Sequence, residues 1–479
     1  MISQYQPFIA GVDSSASTSF LNVFNPYDGT LVGKVATSDE AQTERALSTA
    51  RKCFDDRSQW LKPARRIEIL QTLVSLMHEH YDALVTCATK EGGKPWEDSC
   101  VEVTRAINSV ELCIDGVKQS GGHVIPMGIN LASENKMAFT QIEPIGVVVA
   151  VSAFNHPLNL IAHQVAPAIA CGCPVIVKPA ETTPLTCFKF VELVLQAGLP
   201  EEWCQCLIPD NKTLIQKLVT DSRVDFFTFI GSANVGWMLK SQLSAGTHCA
   251  LEHGGAAPVI IDDHADITAI VPKLTKGGFY HAGQVCVSVQ RVFVHQNCTA
   301  KLIQALTESA NNLIVGDPLD KDTEVGPLIN HEALDRVHTW VTDAVADGAQ
   351  LLCGGKKISN SLYQPTVLLN PPVHATVSQK EIFGPVICVY EYTDIDEAIK
   401  QANALPFCFQ ASVFSENIHT ALYVSQQLQA TAVMINEHTA FRVDWMPFGG
   451  LKQSGYGMGG IPYTLKDMQV EKLIVVQTQ

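Results

Sequence analysis

The sequence predicts a doubly wound α/β protein, and three observations carry that expectation. Short apolar runs recur from Ile145 onward, each ends in a polar or glycine-bearing turn, and helical stretches lie between them. The runs are "IGVVVAVSAFN", "CPVIVKPAE", "VDFFTFIGS" and "APVIIDD". Runs apolar at successive positions mark strands buried on both faces, as in a parallel sheet covered by helices. Pro184 to Ala197 and Lys212 to Thr220 are the helical stretches between them, and a second alternating region extends from about Ala256 to Asn436. Upstream, Ser38-Asp-Glu opens a helix with acidic residues suited to its N-terminus. Ala64 to Leu84 carries Ile67, Leu70, Leu73, Val74 and Met77 at helical spacing, and Gly92-Gly93-Lys94-Pro95 stops the helix that follows. No repeat, low-complexity tract or linker separates the parts, so interleaved domains are expected.

The chain has 479 residues, 46% of them apolar, enough for two or three domains with sizeable cores. Lys and Arg number 33 against 48 Asp and Glu, a net charge of −15. That field repels a phosphate backbone, so no nucleic-acid partner is expected. The fifteen cysteines are odd in number and scattered, which suits reduced thiols in a cytosol better than disulfides. Cys171-Gly-Cys173, Cys204-Gln-Cys206 and His78-Glu-His80 each lack a matching second pair nearby, and no metal is expected. "MISQYQPFIAGVDSS" has no basic start followed by an apolar core, so no secretory signal is read there. The most apolar region, Ile145 to Val177, is broken by Asn155, His156, Asn159, His163 and Gln164 and is too polar to span a bilayer. The expected location is cytoplasmic, with no membrane partner.

Ligands of doubly wound sheets gather at the carboxyl ends of the strands, and the polar residues of this chain fall there. Gly231-Ser232-Ala233-Asn234-Val235-Gly236 follows a strand and opens a helix, so Gly231, Ser232 and Gly236 suit a diphosphate close to free N–H groups. Lys178 and Glu181 end another strand; Glu181 is placed to bond ribose hydroxyls. Lys178 is assigned to both the catalytic set and the cofactor site. Glu252, between Leu251 and His253-Gly254-Gly255, has surroundings that raise a carboxyl pKa into the range of a general base. Asn155 offers an amide to an oxyanion, together with the backbone N–H of Cys286. Cys286, in "HAGQVCVSVQR", is the nucleophile of choice at the mouth of a strand. Thiol, base, amide and dinucleotide turn fit one reaction. Cys286 adds to an aldehyde, hydride passes to a nicotinamide, and water activated by Glu252 hydrolyses the thioester.

Asn155, Lys178-Pro-Ala-Glu181, Gly231–Gly236, Glu252-His-Gly-Gly255, Gly283-Gln-Val-Cys286, Glu381-Ile-Phe-Gly-Pro385 and Pro447-Phe-Gly-Gly450 together resemble the aldehyde dehydrogenase superfamily, in its order and over essentially the whole chain. The resemblance implies a Rossmann-like cofactor domain (1–125 and 145–253, with 447–460 returning to the active-site region). It also implies an α/β catalytic domain (254–446) and a small β oligomerisation element (126–144 and 461–479). It further implies that Glu381 holds the nicotinamide ribose, that Phe383 packs beside the nicotinamide, and that the chain forms a homodimer or homotetramer. NAD is the expected cofactor, with NADP admitted because Lys178 softens the repulsion of a 2′-phosphate by Glu181.

Two departures from the family pattern stand out. His156 replaces the usual aromatic-side Phe of Asn-Phe-Pro, and Met458-Gly459 replaces a common Arg-Glu pair. "FNHPLN" and "FRVDWMPFGG" look most like branches acting on small anionic aldehydes, phosphonoacetaldehyde dehydrogenase above all. Lactaldehyde, glyceraldehyde-phosphate and semialdehyde enzymes are the alternatives. Arg105, His156 and Arg442 are the substrate-binding candidates, the guanidiniums as clamps for the anion. A CoA-acylating enzyme would not need Glu252, and a non-catalytic binding protein would need none of the set.

Overall fold

The computed structural model describes residues 3–11 and 19–478. Its first sheet runs Cys204–Cys206, Val175–Lys178, Val148–Val151, Phe226–Ile230, His248–Glu252, all parallel, and is closed by the antiparallel strand Gly455–Tyr456. Numbered along the chain, the parallel strands lie in the order 3-2-1-4-5. The chain therefore leaves Val148–Val151 to build one half and returns beside it to build the other. A crevice opens where the order reverses, at the carboxyl ends of Val148–Val151 and Phe226–Ile230. Those ends carry Ser152–His156 and Gly231-Ser232.

Two buried carboxylates fix the helices around that crevice. Glu102, on the helix Trp96–Gln119, accepts from the N–H groups of Leu158 and Asn159 and is ion-paired with the equally buried Lys94. It supplies the cap that the helix Asn159–Cys171 lacks at its own start. Glu91 does the same for Leu185 and Thr186 at the helix Leu185–Gln196.

The second sheet has seven strands in the order Gln350–Cys353, Thr366–Leu369, Val386–Tyr392, Val289–His295, Ala257–Ile261, Gln410–Phe414, Ala432–Ile435. Only Gln350–Cys353 runs antiparallel. Glu252 ends a strand of the first sheet and Ala257 begins one of the second. The glycines between them thus lie at the joint of the two layers.

A third, antiparallel sheet pairs Gln469–Gln477 with Lys136–Pro144 and adds Val124–Ile125. It starts one strand earlier than the expected boundary at 126. The helix Ile461–Asp467, expected in the same element, instead packs its Ile461 and Leu465 into the core of the first sheet's helices. The strands Cys204–Cys206 and His248–Glu252 were not legible as strands, being short and flanked by polar residues. Among the described residues no helix is long and apolar enough to cross a membrane, and no group of three or more His, Cys, Asp or Glu could hold a metal ion.

Candidate active site

A cavity of about 960 Å³ lies between the two sheets and draws its walls from both. Asn155, His156, Lys178, Glu181, Gly231, Ser232, Glu252, Cys286, Glu381, Phe383, Arg105 and Arg442 all line it. Of the candidate catalytic, cofactor and substrate residues read from the sequence, Gly236 alone does not.

The Cys286 loop is built by strain and packing. His281, Ala282 and Gly283 have φ of 47°, 53° and 69°, three successive left-handed residues. Two of them carry a Cβ, a conformation that costs on the order of 1–2 kcal/mol per residue. Gly283 has no choice: a Cβ there would lie 2.1 Å from the Gly384 carbonyl oxygen. Gln284 pins the turn, its amide donating to the His281 and Pro327 carbonyls and its carbonyl accepting from Ile329 N–H. Val285 and Val287 sit in a cluster with Phe409 and Phe448, so the thiol between them is aimed rather than loose. The Gln284 backbone oxygen accepts from Asn155 Nδ2 at 2.9 Å. A carboxamide has two N–H groups; this bond uses one and leaves the other for an oxyanion.

Burial pushes the Cys286 thiol up to about 12, with the Glu381 carboxyl adding to the rise and Arg442 opposing it. Burial also raises the Glu252 carboxyl, again opposed by Arg442. Gly459 makes room for that carboxyl, since a Cβ there would lie 2.1 Å from Glu252 Oε1. The Met458-Gly459 departure is therefore a fitted contact with Glu252.

On the first sheet's side, Lys178 Nζ and Glu181 Oε1 are 3.2 Å apart. The helix Ala233–Lys240 begins after Ser232 with no side-chain cap, leaving its first N–H groups toward the crevice. Ile215 and Gln216 from the helix Lys212–Thr220 face Val235, Met238 and Leu239 across an apolar slot. Gly236 is turned away from it, with a Cβ position only 2.0 Å from His253 Cε1. Its role is helix-to-strand packing, which corrects the expectation that it approaches the cofactor.

At the other end, Glu381 accepts from Gly255 N–H at 3.2 Å, and burial raises its carboxyl to about 8 against the pull of that bond and of Arg336. Gly254 is obligatory beside it, as a Cβ would fall 1.7 Å from Glu381 Oε1. The Phe383 ring meets Phe154 edge-on at 5.8 Å. Arg336, which donates to the Ile382 carbonyl at 2.6 Å, carries no local sequence signal.

The arginines are not equivalent. Arg105 is a fork on Asp444, with Nε and Nη2 donating at 3.1 and 2.7 Å. Arg105, expected as a clamp for the substrate anion, instead has its charge already matched by Asp444. Arg442 lies 3.5 Å over the Phe448 ring, and its Nε has no hydrogen-bond partner among the described residues. Burial and the neighbouring Arg105 pull its pKa down. His163 joins the two, Nε2 donating to Asp444 at 2.8 Å and Nδ1 accepting from Arg442 Nη2 at 3.4 Å. Burial would raise the Asp444 carboxyl, yet the bonds from His163 and Arg105 hold it well below the usual carboxylate range. His156, kept neutral mainly by burial, bonds Tyr280 Oη at 2.8 Å.

Thiol, oxyanion donor, raised carboxyl and dinucleotide crevice thus share one cavity. Comparison with known proteins settles the family: residues 12–474 match the aldehyde dehydrogenase family. The chain belongs to that family. Aldehyde dehydrogenases are NAD(P)-dependent oxidoreductases, and this chain is an enzyme of that kind. It is 33% identical to the 3-sulfolactaldehyde dehydrogenase of Priestia aryabhattai over 99% of this chain and 98% of the relative. The crystal structure of aldehyde dehydrogenase 21 from Physcomitrella patens with the reaction product succinate superposes with a TM-score of 0.95 at 32% identity, covering 100% and 99% of the two chains. Glyceraldehyde-3-phosphate dehydrogenase GapN from Methanocaldococcus jannaschii, complexed with NADP, gives a TM-score of 0.91 at 32% identity over 95% and 99%.

Proposed function

We propose that this aldehyde dehydrogenase oxidises a small anionic aldehyde to its carboxylate through a thioester on Cys286. The crevice fits a nicotinamide dinucleotide. The uncapped helix after Ser232 suits a diphosphate, the Lys178–Glu181 pair a ribose, the Ile215–Leu239 slot an adenine, and Glu381 beside Phe383 the nicotinamide end. When bound, that cofactor accepts the hydride.

The chain's own residues do the rest. Cys286 Sγ, as thiolate, bonds to the aldehyde carbon, and the carbonyl oxygen becomes an oxyanion held by Asn155 Nδ2–H and the Cys286 N–H. Arg442 favours the thiolate against the burial that disfavours it. Loss of hydride from the former aldehyde carbon re-forms the C=O bond and leaves the thioester. Glu252 then takes a proton from a water whose oxygen attacks the thioester carbon; the C–S bond breaks, the Cys286 thiolate is expelled and stays on the enzyme, and the carboxylic acid is released. Glu181 accepts two ribose hydroxyls and disfavours a 2′-phosphate, which supports NAD over NADP. The exposed apolar residues of the third sheet support a homodimer or homotetramer.

Arg442 is the observation that carries the substrate class. It is the cation beside Cys286 whose charge no carboxylate matches in a bidentate fork. Relatives named for sulfolactaldehyde, and a solved relative with succinate, agree with an anionic group. Phosphonoacetaldehyde, lactaldehyde-like and semialdehyde substrates are the candidates. The test is Arg442→Ala assayed with anionic aldehydes and with propanal. Both rates fall because the thiolate loses support, but the anionic aldehyde should lose a further tenfold to hundredfold in kcat/KM, as expected for one charge-assisted contact of roughly 1.5–3 kcal/mol. Equal losses on both substrates would remove the anion from the reading.

A further inference from the structure

The substrate end of the cavity has a charge that can be counted. Arg105 and Arg442 bring two positive charges, and Asp444, 3% exposed and bonded to Arg105 through both oxygens, brings one negative charge; Glu252 also acts on Arg442, but burial favours its neutral carboxyl. His163, whose Nε2–H is directed at Asp444 and whose Nδ1 faces Arg442, is neutral in that arrangement. Asn159 adds a neutral amide to Asp444 at 3.4 Å. Arg442 Nε lies 4.0 Å from Asp444 Oδ1, too far for a hydrogen bond, and the same Nε is unpartnered among the described residues.

Resting on the anionic-aldehyde reading, we infer that Asp444 is a specificity-determining positioning residue that sets this pocket to a single net positive charge, and so selects monoanionic aldehydes (sulfonates or carboxylates) over dianionic ones (phosphonates or phosphate esters). Two consequences follow from the geometry. Arg105 cannot leave the fork without abandoning a buried carboxylate, so it offers no second charge to a ligand. A second negative charge on the substrate would face Asp444, buried behind Arg105 just outside the cavity wall, with no cation of its own, and like charges at short range in a desolvated site repel strongly. The phosphonate, read from the sequence as the leading candidate, is thereby disfavoured.

Sulfoacetaldehyde and phosphonoacetaldehyde are suitable probes, being nearly equal in shape but different in charge above neutral pH, where a phosphonate approaches two charges. At pH 8 the wild-type enzyme should favour the sulfonate in kcat/KM by about tenfold or more, with the difference mainly in KM. In Asp444→Asn, which keeps the shape and frees Arg105, the preference should shrink by about tenfold or reverse, even if both absolute rates fall. A structural role alone would lower both substrates together and leave their ratio unmoved. An Asp444→Asn enzyme with an unchanged ratio, or a wild-type enzyme that turns over the phosphonate as well as the sulfonate, would overturn the inference. The wild-type comparison stands even where the variant does not fold. If wild-type enzyme prefers neither anion to propanal, it is the anionic-aldehyde reading that falls.

Discussion

Glu181 shows how much a single residue can decide. It follows the strand Val175–Lys178 by three positions, is half exposed, and holds Lys178 Nζ at 3.2 Å. Two ribose hydroxyls offer it donors, while a 2′-phosphate would bring negative charge against it. Glu181→Gln keeps the acceptor and removes the repulsion. The ratio of kcat/KM for NAD over NADP should exceed one in the wild type and fall several-fold in the variant. A wild-type enzyme more efficient with NADP would show that Glu181 does not face the ribose. Cys286, Glu252 and Asn155 stood out because each is a polar group in a run that packing alone would have kept apolar, and Glu181 because it closes a strand where a ribose is expected. Asp444 and Arg336 were not. The Asp444–Arg105 fork joins positions 339 residues apart, and nothing local to either residue reports the other. The fit of Gly459 to Glu252 was visible only as a departure from the family pattern, without its cause.

At the scale of elements, the site depends on how closely the helix Ala233–Lys240 lies on its sheet. His253 is the surface it lies on, held by Nδ1 to the Gly231 carbonyl at 3.0 Å and flanked by the Phe229 and Trp237 rings, each 5.7 Å away. Gly236 permits the approach. In Gly236→Ala the new methyl would start 2.0 Å from His253 Cε1 and 3.0 Å from Phe229 Cδ1, so helix or imidazole must move. Overpacking of this kind costs about 1–3 kcal/mol. Because the same helix presents its first N–H groups to the crevice, cofactor affinity should fall with stability, measured by titrating bound nucleotide fluorescence and by urea unfolding. Unchanged affinity and unchanged unfolding would mean the helix is not positioned by this contact. The strands Val148–Val151, Val175–Lys178, Phe226–Ile230 and Ala257–Ile261 were legible because burial on both faces leaves uninterrupted apolar runs. Cys204–Cys206 escaped because three residues at a sheet edge leave almost no pattern, and its two cysteines invited a metal reading.

The whole molecule places one chemistry across two sheets and leaves a third sheet outside. On one face of that sheet Ile125 is 36%, Leu473 55% and Val475 49% exposed, an apolar surface larger than scattered single residues would make. Leu473→Asp with Val475→Asp should therefore lower the mass seen by light scattering from an oligomer toward one chain, and a mass unchanged by both substitutions would remove this surface from the assembly. Division of labour between the two inner sheets is the central claim. The first sheet supplies Glu252 and the cofactor crevice, and the second supplies Cys286 on its strained turn. Formation of the thioester needs the crevice and the thiol; its hydrolysis needs the carboxylate. The direct measurement is rapid mixing of Glu252→Gln with NAD and an aldehyde substrate, followed by mass analysis of the quenched protein. The account expects a burst of about one equivalent of reduced cofactor, a stalled second turnover, and an acyl group on the peptide that contains Cys286. Steady turnover at the wild-type rate, or a stalled enzyme with no acyl group on Cys286, would contradict it.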